Sequence, residues 1–280
     1  MRKFKLKTKK QHQQLIWLWW GLLALLLVLI IFAPVIFPES NTIDYARQLQ
    51  KPSLQHWFGT DEFGRDLLSR VFNGMRTSLL YSLIIEAIAL GIGLMVGLVS
   101  GYMGGRIDGF FSYIMNVFQA FPTTVAAIAL IAVLGTSDLT LIVVLSVMGW
   151  VAYARIVRSE TLIFKERDFV LGARASGANS VYILGKHICP NVLLPVLPLA
   201  TLMIGHGIMA IASLSFLGFG VQPPNAEIGL MLKDSAMFIN RAPWLLVGPG
   251  LVLAMVVALI NALGDAIRDK LDPQQQMVEL

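Results

Sequence analysis

The residues of this chain best placed to do chemistry are polar side chains set inside long apolar runs. Glu86 stands in the run 77–102, Asn116 and Gln119 in 110–136, His206 in 192–217 and Asn261 in 244–263. Burying such a group in hydrocarbon costs several kcal/mol unless it finds a partner or water, so each is a functional candidate. Glu86 has two readings, a hydrogen bond to a neighbouring helix or a place on a solute pathway. His206 lies in Ile204-Gly205-His206-Gly207-Ile208-Met209, where flanking glycines would bring another helix or a permeant close. Imidazole and thioether side by side suit a soft or borderline metal or its chelate. His206, Met209 and Glu86 are therefore the substrate-path candidates, with His206 as the metal candidate and a packing histidine as the alternative.

Enzymatic motifs are missing. No G-x-x-x-x-G-K-[ST] occurs, since Gly185-Lys186 is followed by His187, and neither H-E-x-x-H nor G-x-S-x-G is found. The chain offers no cradle for ATP phosphates and is expected to be a non-enzyme with no cofactor of its own. Gly91-x-Gly93 sits in a lipid-length run and reads as close helix packing rather than a dinucleotide turn. The single cysteine, Cys189, excludes an intrachain disulfide.

The elements that must position these residues follow from composition. Of 280 residues, 56% are hydrophobic and 14% charged, with a mean hydropathy of +0.70, whereas a soluble domain carries about 25% charge. Six apolar runs, 15–37, 77–102, 110–136, 139–154, 192–217 and 244–263, predict an all-α polytopic membrane protein. The first run, 23 residues with Trp17, Trp19 and Trp20 at one rim, is too long for a signal-peptide core and predicts a retained span. Six spans put both termini on one side. With the basic tail 1–14 inside, inner segments hold 15 of the 22 Lys and Arg, which follows the positive-inside rule and places both termini in the cytoplasm. The net charge of +5 is thus a topology signal, and no nucleic-acid partner is expected.

Organisation follows from these runs. Residues 1–76 carry the basic tail, first span and an outer amphipathic segment; 77–265 form a five-helix core with an inner loop 158–190 and an outer loop 218–243; and 266–280 are a cytosolic tail. In the outer segment, Thr60 or Asp61 is expected to cap an interfacial helix bearing Phe63, Leu67, Leu68, Val71 and Phe72 on one face, with Asp61 and Arg65 as a local ion pair. The inner loop includes Leu171 and Arg174, and between and after them Gly172, Ala173, Ala175, Ser176, Gly177 and Ala178 leave a helix surface with little side chain. Such a surface suits docking or an ordinary connector packed on its own bundle, and Gly177 suits a turn of positive φ. In the outer loop, Gln222-Pro223-Pro224-Asn225 is a turn that leads into a short helix within 226–240.

These motifs carry a resemblance. Gln55-His56-Trp57-Phe58-Gly59-Thr60-Asp61 with Gly64-Arg65-Asp66-Leu67-Leu68-Ser69-Arg70 is similar to the segment after the first span in permease subunits of ATP-driven (ABC) importers of the peptide/nickel group. The inner loop resembles their coupling loop, E-A-A, three residues, Gly, nine residues, I-x-L-P. Leu171-Gly172-Ala173, Gly177 and His187-Ile188-Cys189-Pro190 keep that spacing, although the Glu, one Ala, the Ile and the Leu are replaced. Ser215 to Pro224 and Gly264 to Pro273 are also similar to the second of the group's two permease subunits. The resemblance implies a homologous permease partner forming a heterodimer and two cytosolic ATPase subunits that bind ATP and Mg and clasp the coupling helix. It further implies an extracytoplasmic substrate-binding protein and a bacterial inner-membrane location. Within the group, the runs at His56 and His206 look more like nickel permeases than dipeptide ones, so nickel or its chelate is favoured over di- or oligopeptides. The competing class is a secondary transporter or channel without ATPase partners, for which more intramembrane carboxylates than Glu86 are expected, and often internal repeats.

Overall fold

The computed structural model describes residues 21–38 and 41–271. The basic tail, the start of the first apolar run with its tryptophans, and the C-terminal tail beyond Leu271 lie outside the described residues. Among the described residues the chain is helical, without a strand, apart from an isolated bridge between Thr60 and Asp66. The principal helices are α1 (Gly21–Ile31), α2 (Leu67–Met103), α3 (Gly105–Ala120), α4 (Thr123–Leu134), α5 (Asp138–Phe164), α6 (Asp168–Ala175), α7 (Ser180–Phe216), α8 (Ile228–Ser235) and α9 (Trp244–Leu271). Four of them, α2, α5, α7 and α9, are each long and apolar enough to cross a membrane, and α3 with α4 passes the same test as a bent pair.

Three expectations change. The run 110–136 is not one straight helix: α3 and α4 meet at 85° at Phe121-Pro122. Pro122 lacks the N–H that would continue α3, and its ring forces Phe121 into extended backbone (φ −104, ψ 139). The interfacial helix capped by Thr60 or Asp61 does not form. Asp61 instead closes a tight turn, accepting the amides of Phe63 and Arg65 on Oδ1, both at 2.9 Å. The helix begins at Leu67, where Asp66 Oδ1 accepts the amide of Ser69 at 2.8 Å, and it runs on for 37 residues. The fifth run also starts early. Helix α7 begins at Ser180 and passes through a π-helical stretch at Ile183–Ile188, so Pro195 and Pro198, near the start of the run 192–217, stand inside the helix. Widening the helix just before Pro190 removes the demand for an amide that proline cannot supply.

The described residues fall into two compact units, one made of the chain up to Ser78 with Pro223–Ile260, the other of Leu79–Gln222 with the residues from Asn261 onward. In the second unit, α5 packs against α7 and α4. One core cluster gathers Trp150, Tyr153, Ala154 and Val157 of α5 with Val170 of α6 and Ile183, Ile188 and Val192 of α7. A second cluster gathers Ile131, Leu141, Ile211 and Leu214. Glycines set the spacing here. A Cβ on Gly93 would lie 2.8 Å from the carbonyl oxygen of Trp150, on Gly97 2.7 Å from that of Ala154, and on Gly101 2.8 Å from that of Arg158. The four-residue spacing of these glycines lets α2 lie directly on the backbone of α5. Gly91, which the sequence paired with Gly93, meets nothing within 4 Å.

In the first unit the fully buried Glu227 ties two segments together: Oε1 accepts the hydroxyl of Ser78 at 3.0 Å, and Oε2 accepts the amide of Leu230 at 3.0 Å, capping α8. A buried carboxylate with two donors is satisfied rather than stranded.

Candidate functional site

Helix α6 is fixed at its base and bare on its outer side. Val170 is fully buried in the core cluster, and Arg174 lies 5.5 Å over the ring of Tyr102. His187 packs its ring edge-on to Tyr182 at 5.5 Å and lies 6.3 Å from Phe169. Lys165 Nζ donates to the carbonyl of Gly101 at 3.1 Å, and Arg158 makes two bonds to Asp108 at 2.5 and 2.6 Å. These contacts join the loop to the ends of α2, α3 and α5, so it follows those helices as one body.

The rest of α6 faces outward. Leu171, Gly172, Arg174, Ala175, Ser176 and Gly177 are exposed, while Ala173 and Ala178 are half-buried. A Cβ on Gly172 or Gly177 would meet nothing within 4 Å. The helix stops where the glycine demands it. Gly177 takes φ +83, its amide bonds to the Arg174 carbonyl at 3.0 Å, and the Ala178 amide bonds to the Ala173 carbonyl at 3.1 Å. That pair of bonds is the Schellman arrangement, which satisfies two carbonyls a helix end leaves open. Pro190, the last residue of the loop motif, lies in the first turn of the α-helical part of α7.

The intramembrane candidates form one close group and several separate ones. Glu86 Oε2 accepts the hydroxyl of Tyr153 at 2.7 Å, and Oε1 lies 3.2 Å from where a Cβ on Gly207 would stand. Ser82 donates to the Ile204 carbonyl at 2.8 Å, so α2 and α7 are joined by hydrogen bonding around the same glycine. The Nδ1 of His206 lies 3.1 Å from the Leu202 carbonyl, which can only accept, so Nδ1 carries the proton and Nε2 is left as an acceptor. His206 and Met209 are both exposed on α7. Asn116 accepts from Arg155 at 2.9 Å, and Gln119 is exposed. Asn261 Oδ1 is buried without a hydrogen bond among the described residues. No group of three or more His, Cys, Asp or Glu that could hold a metal occurs among the described residues.

The turn at Asp61 builds a polar site in the first unit. Arg65 Nε donates to Asp61 Oδ2 at 2.6 Å, and Arg70 Nε lies 3.4 Å from the same oxygen, with its Nη1 donating to Asn41 at 2.8 Å. The expected Asp61–Arg65 pair is thus present, and it is buried. His56 Nδ1 meets Asp66 Oδ2 at 2.7 Å, which makes this histidine a clamp on the cap of α2. The sequence did not reveal that 61–70 and 223–238 belong together.

Lipid-length helices and a bent pair define a polytopic membrane protein, and one short helix of mostly small residues stands exposed. The solved inward-facing structures of the MetNI methionine ABC transporter share this fold, with a TM-score of 0.60 at 21% identity over 74% of this chain and 96% of that one. Residues 93–276 match the family described as "Binding-protein-dependent transport system inner membrane component", and the chain belongs to it. It is 38% identical to the dipeptide transport system permease protein DppC of Alkalihalophilus pseudofirmus, over 89% of this chain and 83% of the relative. It is 43% identical to the glutathione transport system permease protein GsiD of Shigella flexneri, over 89% and 83%, and 41% identical to that of Salmonella paratyphi A, over 98% and 90%. The chain is therefore a permease subunit of a binding-protein-dependent ABC importer of the bacterial inner membrane.

Proposed function

We propose that this chain forms half of the translocation pathway of a short-peptide importer. The other half comes from a homologous permease, and the pathway is switched through α6 by two cytosolic ATPase subunits that hold ATP and Mg. An extracytoplasmic binding protein delivers the solute. Six spans with both termini in the cytoplasm agree with the basic excess of inner segments and put α6 on the ATPase side. The observation that carries this reading is the bare outer face of α6, open at Gly172 and Gly177 yet tied at its base to the transmembrane core. A lever needs a free face and a rigid root. Energy enters because the ATPases contact that face differently in the inward-open and outward-open states.

Peptide takes precedence over nickel as substrate because the relatives above are named for a dipeptide and for glutathione, and because His56 is engaged by Asp66. Nickel stays as the second reading on one observation: His206, with Nδ1 on the Leu202 carbonyl and Nε2 left as an acceptor, is exposed on α7, with exposed Met209 three residues on. Co-purification with two ATPase chains, followed by uptake of labelled dipeptide and labelled nickel in cells with and without this chain, tests both. Loss of dipeptide uptake alone supports the peptide reading. Loss of nickel uptake that His206→Ala reproduces would replace it. Transport that continues without any ATPase would overturn the importer assembly.

A further inference from the structure

Two motifs about 160 residues apart in sequence line one cavity of about 400 Å³ in the first unit. That volume is in the range of small-molecule sites, roughly 300–1,000 Å³. Glu62, Phe63, Arg65 and Arg70 come from one side, Pro223, Pro224, Leu230 and Asp234 from the other. The lining carries charge of both signs together with apolar surface from Phe63, Pro223 and Phe238.

Arg65 is held for recognition. Its side chain is only 10% exposed, Nε is used by Asp61, and the guanidinium lies 4.5 Å over the Phe63 ring. Among the described residues its terminal nitrogens make no hydrogen bond, the nearest acid being Glu62 at 3.7 Å. A buried, stacked guanidinium with an unused fork is organised for a carboxylate. The acids supply the other sign. Asp61 is taken up by Arg65 and Arg70, whereas Glu62 has only the long contact to Arg65 and Asp234 has no ion pair among the described residues. Burial pushes the carboxyls of both Glu62 and Asp234 up from their ordinary values, although Lys233 beside Asp234 and the two arginines act in the other direction. A cation entering the cavity would relieve that cost.

We infer that this cavity is a binding site for a small zwitterionic solute of the short-peptide class, its ammonium between Glu62 and Asp234 and its carboxylate on the fork of Arg65. The inference rests on the peptide reading above for its role, and on that topology for its opening to the cell exterior. There it would hold solute on the permease itself, separately from the transmembrane pathway.

The test uses the complete importer in lipid nanodiscs, without binding protein or nucleotide, titrated with labelled dialanine. The wild type binds. Glu62→Gln with Asp234→Asn weakens binding at least tenfold, and N-acetyl-dialanine and dialanine amide bind at least tenfold more weakly than dialanine. Met237→Trp is the second route, since Met237 lines the cavity yet is 83% exposed, so a larger side chain fills the space without disturbing a core or a charge. It too should abolish binding while the complex keeps its melting temperature. No binding by the wild type, binding by all variants within twofold of it, or equal binding of the blocked dipeptides would overturn the site. Peptide uptake in cells is read separately. Binding as expected without any peptide uptake sinks the transport reading and leaves the site; uptake with unchanged binding in the variants does the reverse.

Discussion

Two sets of small residues on helices of the second unit meet opposite fates. On α2, Gly93, Gly97 and Gly101 are spaced four apart, and the backbone of α5 fills the space they leave. On and just after α6, Gly172, Ala175, Ser176 and Gly177 are equally small, and the space over the two glycines is empty. The first set spends its smallness on internal packing, where close backbone approach yields dispersion contacts over a long interface. Gly177 of the second set ends α6, but neither of its glycines gains a packing contact within the described chain. A face left open beside a core-packed Val170 is what the proposed ATPase contact requires.

The largest effect that separates the two sets is expected at Gly97. A leucine there would drive its Cβ into the Ala154 carbonyl and the side chain of Val157, and neither can move without shifting α5. We expect a loss of about 3 kcal/mol, at the upper end of overpacking costs, seen as low membrane yield and a lowered melting temperature. A Gly97→Leu protein that melts like the wild type would remove the contrast at its root.

Gly172→Trp is the matching change on α6. With nothing within 4 Å of its Cβ, the substitution should leave yield and melting temperature near wild type. ATP-driven uptake should nevertheless fall at least tenfold, because the indole occupies the volume the ATPase partner needs. Full uptake by this variant would show that the open face is not a docking surface.

How far the contrast could be read without coordinates differs between its halves. The lipid-length runs, the bare stretch 168–178 and the positive φ at Gly177 are written locally, in composition and in the one residue type that tolerates that backbone. Which glycines are filled is not local. Gly91 and Gly93 look alike in sequence, and only the side of α2 that meets α5 tells them apart. The break at Pro122 was legible as a proline inside an apolar run, but the same sign at Pro195 and Pro198 leaves α7 unbroken. The cavity between 61–70 and 223–238 is a tertiary fact, and no spacing announces it.

A finer test lies at Gly177. Alanine adds one methyl group into open space, so any cost comes from the backbone, where φ +83 is unfavourable for an L-residue by about 1 kcal/mol. Gly177→Ala should lower the melting temperature slightly and fray the end of α6, with faster amide exchange at Ala178, whose bond to Ala173 depends on that turn. Uptake should fall less than for Gly172→Trp. The reverse order would mean that the turn, rather than the open face, carries the coupling.

The smallest effect concerns the cavity of the first unit, a space lined with charge instead of small residues. Burial raises the carboxyl of Glu62 above its usual 4.5, so the folded protein binds this proton more tightly than the unfolded chain does. Stability is therefore greater below pH 4.5, declines as pH rises through the folded pKa, and stays reduced above it. Glu62→Gln removes the ionisation, so its melting temperature should exceed that of the wild type by about 1–2 °C at pH 8 and converge with it near pH 4. A site that costs stability when empty and charged is what a binding cavity requires, whereas a purely structural carboxylate would lose stability on neutralisation. A lower melting temperature for Glu62→Gln at pH 8 would place this cavity with the filled glycines of α2, as part of the fold's own packing.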